Sequence, residues 1–241
     1  MDAVSGDGAQ LVLTPRPPSK LLWAAEFPRA VWMLATWWRH RARVRGVPAA
    51  SGGAVMLLPG MFNSDRSNFL LRRFLRRLGY RVEGWGLGRN LGVRSVGPDA
   101  ERLIARVEAL AAEAGPVALV GVSLGGMLAR LVAHRRPDLV RQVVTISSPF
   151  AGSGRATNVW RAFEIVTGER LDSPAVVERA ALIASPLPVP ATAIWSRTDG
   201  LVAGEICRDE HCDAVEVRSS HLWVQLKPEV LIVVAQALSC R

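Results

Sequence analysis

Val117-Ala118-Leu119-Val120-Gly121-Val122-Ser123-Leu124-Gly125-Gly126 is the stretch that decides the fold. A run rich in β-branched and aliphatic residues ends in Gly-x-Ser-x-Gly, and a helical pattern begins directly after it. A strand feeding a helix through so tight a turn forces Ser123 into a strained backbone region. Gly121 and Gly125, lacking side chains, let neighbouring backbone close in on the turn. The hydroxyl is thereby held at the carboxyl end of a buried strand, with a helix N-terminus behind it. By chance a Gly- and Ser-bearing turn can occur in any α/β fold, so the remainder of the chain has to supply a base, an acid and an oxyanion hole.

On both sides of this stretch the pattern alternates strand and helix. Residues 54–60 read as a buried strand ending in Pro59-Gly60, and 80–85, 142–147, 191–195 and 215–217 as further strands. Helical spacing of apolar residues covers 66–78, 98–114, 124–136 and 230–238. Gly84-Trp85-Gly86-Leu87-Gly88 has the wrong spacing for a dinucleotide loop and reads as a turn. Residues 154–190 carry two short apolar-faced helices and end on Pro186, Pro188 and Pro190, which is where a lid-like insertion would sit. The expected fold is α/β, with a mainly parallel sheet covered by helices on both faces. The expected organisation is a leader and Trp-rich amphipathic helix over 1–46, followed by one domain over 47–241 with the insertion at 154–190.

With 241 residues, 49% of them hydrophobic, one full-cored domain is the default reading. The formal net charge of +9 comes almost wholly from arginine, with lysine only at 20 and 227. No basic, aromatic-interleaved segment accompanies that charge, so no nucleic-acid partner is expected, although attraction to an anionic membrane surface is allowed. Three cysteines are too few for a disulfide framework. Cys207 and Cys212 are close enough in sequence to bridge, and with His211 they lack a fourth zinc ligand, so no metal is expected.

Leu21 to Trp38 is an apolar run interrupted by Glu26 and Arg29, with Pro28 positioned to kink or restart a helix, and Arg39, Arg41, Arg43 and Arg45 follow. It makes a poor transmembrane span and lacks a signal-peptide cleavage site, so the expected location is cytoplasmic. Two readings of residues 21–45 stay open. Four tryptophans (23, 32, 37, 38) and a basic end suit a membrane interface and peripheral contact with it. Alternatively the segment packs on the domain's own surface, over the active-site mouth.

A serine hydroxyl is a weak nucleophile at neutral pH and needs a base within reach, with a third group orienting that base. Among the four histidines, His40 lies in the basic end of the N-terminal helix and His211 in a charged loop. His134 is roughly 16 Å along the helix that starts at Ser123, pointing away from it. His221 follows the last strand and is the candidate base. Asp199, in Ser196-Arg197-Thr198-Asp199-Gly200, lies past the preceding strand and is the candidate acid, with Gly200 expected to permit a sharp turn. Asp138 is the runner-up but precedes its strand, at the wrong edge of the sheet. Leu124 N–H is one candidate oxyanion donor; Met61 N–H is the second, with Phe62 next.

Leu58-Pro59-Gly60-Met61, Gly121-Val-Ser-Leu-Gly-Gly126, Ser147-Ser-Pro-Phe150, Ser196-Arg-Thr-Asp-Gly-Leu-Val202 and Ser219-Ser-His221 occur in the order found in α/β-hydrolases. Over roughly residues 50–240 the chain resembles that superfamily, and within it the small bacterial serine esterases and lipases. The departure is Pro59-Gly60 where many members have His-Gly, which a backbone donor tolerates. The resemblance implies hydrolysis of a small-molecule or lipid carboxylic ester, with no cofactor. It leaves acyltransferase and thioesterase chemistry open on the same site, as well as a non-catalytic membrane-associated scaffold.

Overall fold

The computed structural model describes residues 15–50 and 52–239. Its elements run in the order α1 (Lys20–Ala24), α2 (Glu26–Thr36), α3 (Arg41–Arg45), β1 (Ala54–Leu58), α4 (Phe69–Arg77), β2 (Arg81–Gly84), α5 (Val93–Val96), α6 (Glu101–Ala114), β3 (Val117–Val122), α7 (Leu124–Arg135), β4 (Val140–Ile146), α8 (Trp160–Thr167), α9 (Pro174–Ala184), β5 (Ala191–Trp195), β6 (Asp213–Glu216) and α10 (Pro228–Ser239). The strands form one six-stranded sheet in the order β2-β1-β3-β4-β5-β6, and every pairing is parallel.

The period of two along each strand divides the core into two layers. Val55, Leu57, Val120, Val144, Ile146 and Ile194 face α4 and α10 on one side. Met56, Leu58, Leu119, Val143 and Ala193 face α6 and α7 on the other. Since both faces are covered, β1 and β3 are buried at every position and read as continuous apolar runs rather than alternating ones. All parallel strands end at one sheet edge, and the loops after β1, β3, β5 and β6 gather there.

The N-terminal segment is not a single helix. It breaks at Ala25, ahead of Pro28, and α2 restarts so that Pro28 occupies its first turn, where a missing N–H costs no hydrogen bond. Thr36 ends α2, a 3₁₀ turn covers Trp37–His40, and α3 follows. Glu26 and Ala30, four residues apart, face inward and are buried. Leu21, Trp23, Phe27, Trp32 and Trp38 stay exposed on the outer face. No described helix is long and apolar enough to cross a membrane.

Candidate active site

Ser123 has φ 50° and ψ −120°, a conformation that an L-residue enters only when its surroundings enforce it. The enforcement comes from close packing at glycines. A Cβ on Gly121 would lie 2.4 Å from the Gly125 carbonyl carbon, and one on Gly125 would lie 2.4 Å from Leu58 O. Ser123 N–H donates to Ile146 O (2.8 Å), which fixes the turn against β4. Behind it α7 starts at Leu124 without a side-chain cap. Gly126 N–H and Met127 N–H donate to Ser123 O (3.0 and 3.4 Å), so the helix N-terminus begins directly at the serine, with Leu124 N–H the candidate donor ahead of them.

The β1 loop supplies the opposite wall. Phe62 N–H donates to Asn90 O (2.9 Å), so the runner-up oxyanion donor is already committed. The Met61 amide makes no hydrogen bond among the described residues, and Met61, Ser123 and Leu124 line one pocket. Asn90, which sequence reading passed over, is fully buried and holds this loop in place. Its Nδ2 donates to Pro59 O (2.7 Å), its Oδ1 accepts from Gly92 N–H (3.0 Å) and its own N–H donates to Asn63 O (2.8 Å). Only the Gly88-Arg89-Asn90-Leu91-Gly92 context, a polar residue between glycines, hinted at such a role.

At the far side of the edge, Asp199 and His221 meet. His221 Nδ1 donates to Asp199 Oδ2 at 2.7 Å, while Asp199 Oδ1 accepts from Leu201 N–H (2.8 Å) and Val202 N–H (2.9 Å). Both carboxylate oxygens are thus occupied, so the side chain has one orientation. Burial pushes the imidazolium of His221 down, but the Asp199 charge, its hydrogen bond and the Glu26 charge outweigh burial, and the net shift is upward from the usual histidine range. With Nδ1 taken, Nε2 is the nitrogen left for chemistry. Ser123 Oγ and His221 Nε2 make no hydrogen bond with each other; such bonds commonly tighten only in the substrate complex.

The other candidates lie elsewhere. Asp138 is exposed, sits ahead of β4 and pairs with Arg136 (2.8 Å). His134 Nε2 contacts Ser185 Oγ (3.3 Å), His40 is exposed, and His211 lies beside Glu210 (3.6 Å). Cys207 and Cys212 are both free thiols, and burial first, then the Asp199 charge, raises the Cys207 thiol well above its ordinary range. Among the described residues no three His, Cys, Asp or Glu side chains group as a metal would need.

The chain bends at Gly200 as expected, and a close neighbour gives a second reason for glycine there. Its φ is not positive, but a Cβ would lie 2.4 Å from Leu22 O. The N-terminal helices press directly on the loop that carries Asp199. There, Glu26 Oε1 accepts from Gly200 N–H (2.7 Å) and Oε2 from Leu222 N–H (2.9 Å). Arg29 donates to Thr198 O (2.6 Å) and to Glu26 Oε1 (2.9 Å). A charged residue interrupting an apolar helix was the only trace of this contact in the sequence.

From Ser123 an apolar pocket runs under the 154–184 segment. Leu128, Phe150, Trp160, Phe163 and Ile183 are among its walls, and its empty volume is about 1010 Å³, open solvent at the mouth included. Arg130, 1% exposed on α7, fixes the wall helix α9 by donating to Ile183 O (2.6 Å) and Ser185 O (2.8 Å).

Comparison with known proteins points the same way as the topology. A family model described as alpha/beta hydrolase fold matches residues 99–164, which include the Ser123 turn. The sn-1-specific diacylglycerol lipase ABHD11 of Mus musculus is 32% identical over 111 residues, 44% of this chain. That match spans 36% of the mouse protein, about a third of its length. The Bacillus licheniformis lipase BlEst2 superposes with a TM-score of 0.57 at 15% identity, covering 80% of this chain and 94% of that one. EstE1, a thermostable carboxylesterase from a metagenomic library, gives 0.59 at 21%, covering 80% and 81%. At such identities the two structures establish the fold.

Proposed function

We propose that this chain, which has the α/β-hydrolase fold, is a serine hydrolase of carboxylic esters with a lipophilic acyl group, working through Ser123, His221 and Asp199. The observation carrying this reading is the pairing of a strained, glycine-cradled Ser123 with the hydrogen-bonded Asp199–His221 couple on one edge of a parallel sheet. His221 Nε2 takes the Ser123 proton as Oγ attacks the ester carbonyl carbon. Asp199 holds the reactive tautomer and stabilises the imidazolium that forms. The amides of Leu124 and Met61 receive the oxyanion. As the intermediate collapses, the C–O bond to the alcohol breaks and His221 returns the proton to the leaving oxygen. Water, deprotonated by the same imidazole, then releases the acid and restores Ser123.

The apolar pocket supports a greasy acyl chain, and lipase activity in the mouse relative is compatible with it. Hydrolysis of p-nitrophenyl esters of increasing chain length, by wild type, Ser123→Ala and His221→Ala, tests the reading. Either substitution should cost roughly 10⁴- to 10⁶-fold. Full activity in Ser123→Ala would overturn the assignment. Product analysis with added alcohols or thioester substrates reads out acyl transfer or thioester cleavage.

We further propose that residues 21–45 rest on an anionic membrane surface. Trp23, Phe27, Trp32 and Trp38 are exposed there, and the Phe27 ring lies 6.1 Å from that of Trp223, two residues after His221. Arg39, Arg41, Arg43 and Arg45 are exposed beside them, with no carboxylate partner among the described residues. Apolar insertion and basic attraction together make a peripheral anchor where either alone is weak. Trp32→Glu should abolish co-sedimentation with phosphatidylserine vesicles, and raised salt should weaken it. A full chain that ignores such vesicles at low salt refutes this part.

A further inference from the structure

We propose that Glu26 is a positioning residue for the acid–base pair: its carboxylate ties the Asp199 loop to the His221 loop, one oxygen on each, so that the N-terminal helix completes the site. This rests on the functional reading above. Glu26 comes from α2, far from both loops in sequence, yet its side chain is only 4% exposed. Oε1 takes the amide of Gly200, next after Asp199, and Oε2 the amide of Leu222, next after His221. A buried carboxylate forms two such bonds at considerable desolvation cost, which suits a fixed bridge between two segments. Ser196 Oγ already joins the bases of the loops, donating to Ser219 O (3.0 Å) and accepting from Ser219 N–H (3.0 Å). Glu26 does the same at their tips, beside the reacting groups.

Two further features belong to this arrangement. Gly200 leaves room for the α1 backbone at Leu22, so the approach that delivers Glu26 requires that glycine. Arg29 also binds Thr198 O, adding a second contact from α2 to the acid loop. The charged groups around His221 are Asp199 from the loop after β5 and Glu26 from α2, with Arg29 paired to Glu26. Removing the Glu26 charge should therefore ease deprotonation of the imidazolium.

The experiment measures kcat/KM against pH on a p-nitrophenyl ester for full-chain wild type, Ser123→Ala, Glu26→Gln and Glu26→Asp, with a melting curve for each. Glu26→Gln keeps the shape but turns one acceptor into a donor facing an amide. It should lower kcat by about 10-fold or more, because a slightly misplaced base suffices for that. Its acid limb should move to lower pH by up to about one unit. A role confined to docking the helix would lower the melting temperature and leave the limb in place. Should Glu26→Gln fail to fold, Glu26→Asp decides, since its shorter carboxylate keeps the charge but cannot reach both amides: wild-type kcat there overturns the proposal, as would a wild-type profile in a folded Glu26→Gln. Activity surviving in Ser123→Ala would instead sink the underlying reading of the site.

Discussion

Arg130→Met is the substitution whose cost the structure lets one work out. The guanidinium is 1% exposed and donates to two carbonyls at the end of α9, Ile183 O at 2.6 Å and Ser185 O at 2.8 Å. It lies 3.9 Å over the Phe150 ring and 3.6 Å from Asp209. Two hydrogen bonds from a charged donor contribute roughly 3–6 kcal/mol. The ring contact adds about 1 kcal/mol. Against this stands the desolvation of the cation, visible in the downward displacement of its pKa, together with the apolar burial that Met restores. The net loss is about 3 kcal/mol, within the usual range for breaking a buried charged contact. In a domain of this size that lowers Tm by about 6–12 °C. Since α9 walls the pocket, KM for long-chain esters should rise more than for short ones. Differential scanning calorimetry and a chain-length series read both effects. A Tm within about 2 °C of wild type would refute the reasoning, being less than the effect of a single kcal/mol.

Asp199→Asn should keep the shape of the site while disfavouring the reactive His221 tautomer, lowering kcat by up to roughly 10⁴-fold. Asp138→Asn, on the opposite edge, should leave kcat unchanged; the reverse pattern in ester kinetics would move the acid to Asp138. Because Asp199 and Glu26 raise the His221 pKa in spite of burial, the neutral base appears only above the ordinary histidine range. kcat/KM should accordingly rise with pH to a midpoint above about 6.5, and a midpoint below it would contradict the stated balance of charge over burial.

The sheet and the Ser123 turn were legible because each rests on local signals: apolar runs bounded by Gly and Pro, and glycines where backbone approaches backbone. Chain order was enough to bring Asp199 and His221 to neighbouring loops, where they hydrogen-bond. What escaped was the set of polar contacts between distant segments. Periodicity shows that α2 has an inner face, but nothing in it tells that Glu26 lies on that face and meets amides far along the chain. Asn90 is similar: a loop asparagine is common, and its hold on the Met61 loop exists only in three dimensions. Gly200 does sit in a bend, but the backbone of Leu22 pressing on it, which demands a glycine there, cannot be read from sequence. The four-residue helix α5 carries too little pattern to be read at all.

The central claim is that Ser123 is an activated nucleophile, and covalent labelling tests it most directly. Full-chain protein treated with a fluorophosphonate at mildly alkaline pH, digested and analysed by mass spectrometry should carry one phosphonyl group, on the peptide containing Ser123. Displacement of fluoride by Oγ should proceed in wild type, slow sharply in His221→Ala and cease in Ser123→Ala. A label on another residue, or none in wild-type protein that still hydrolyses esters, would contradict the account.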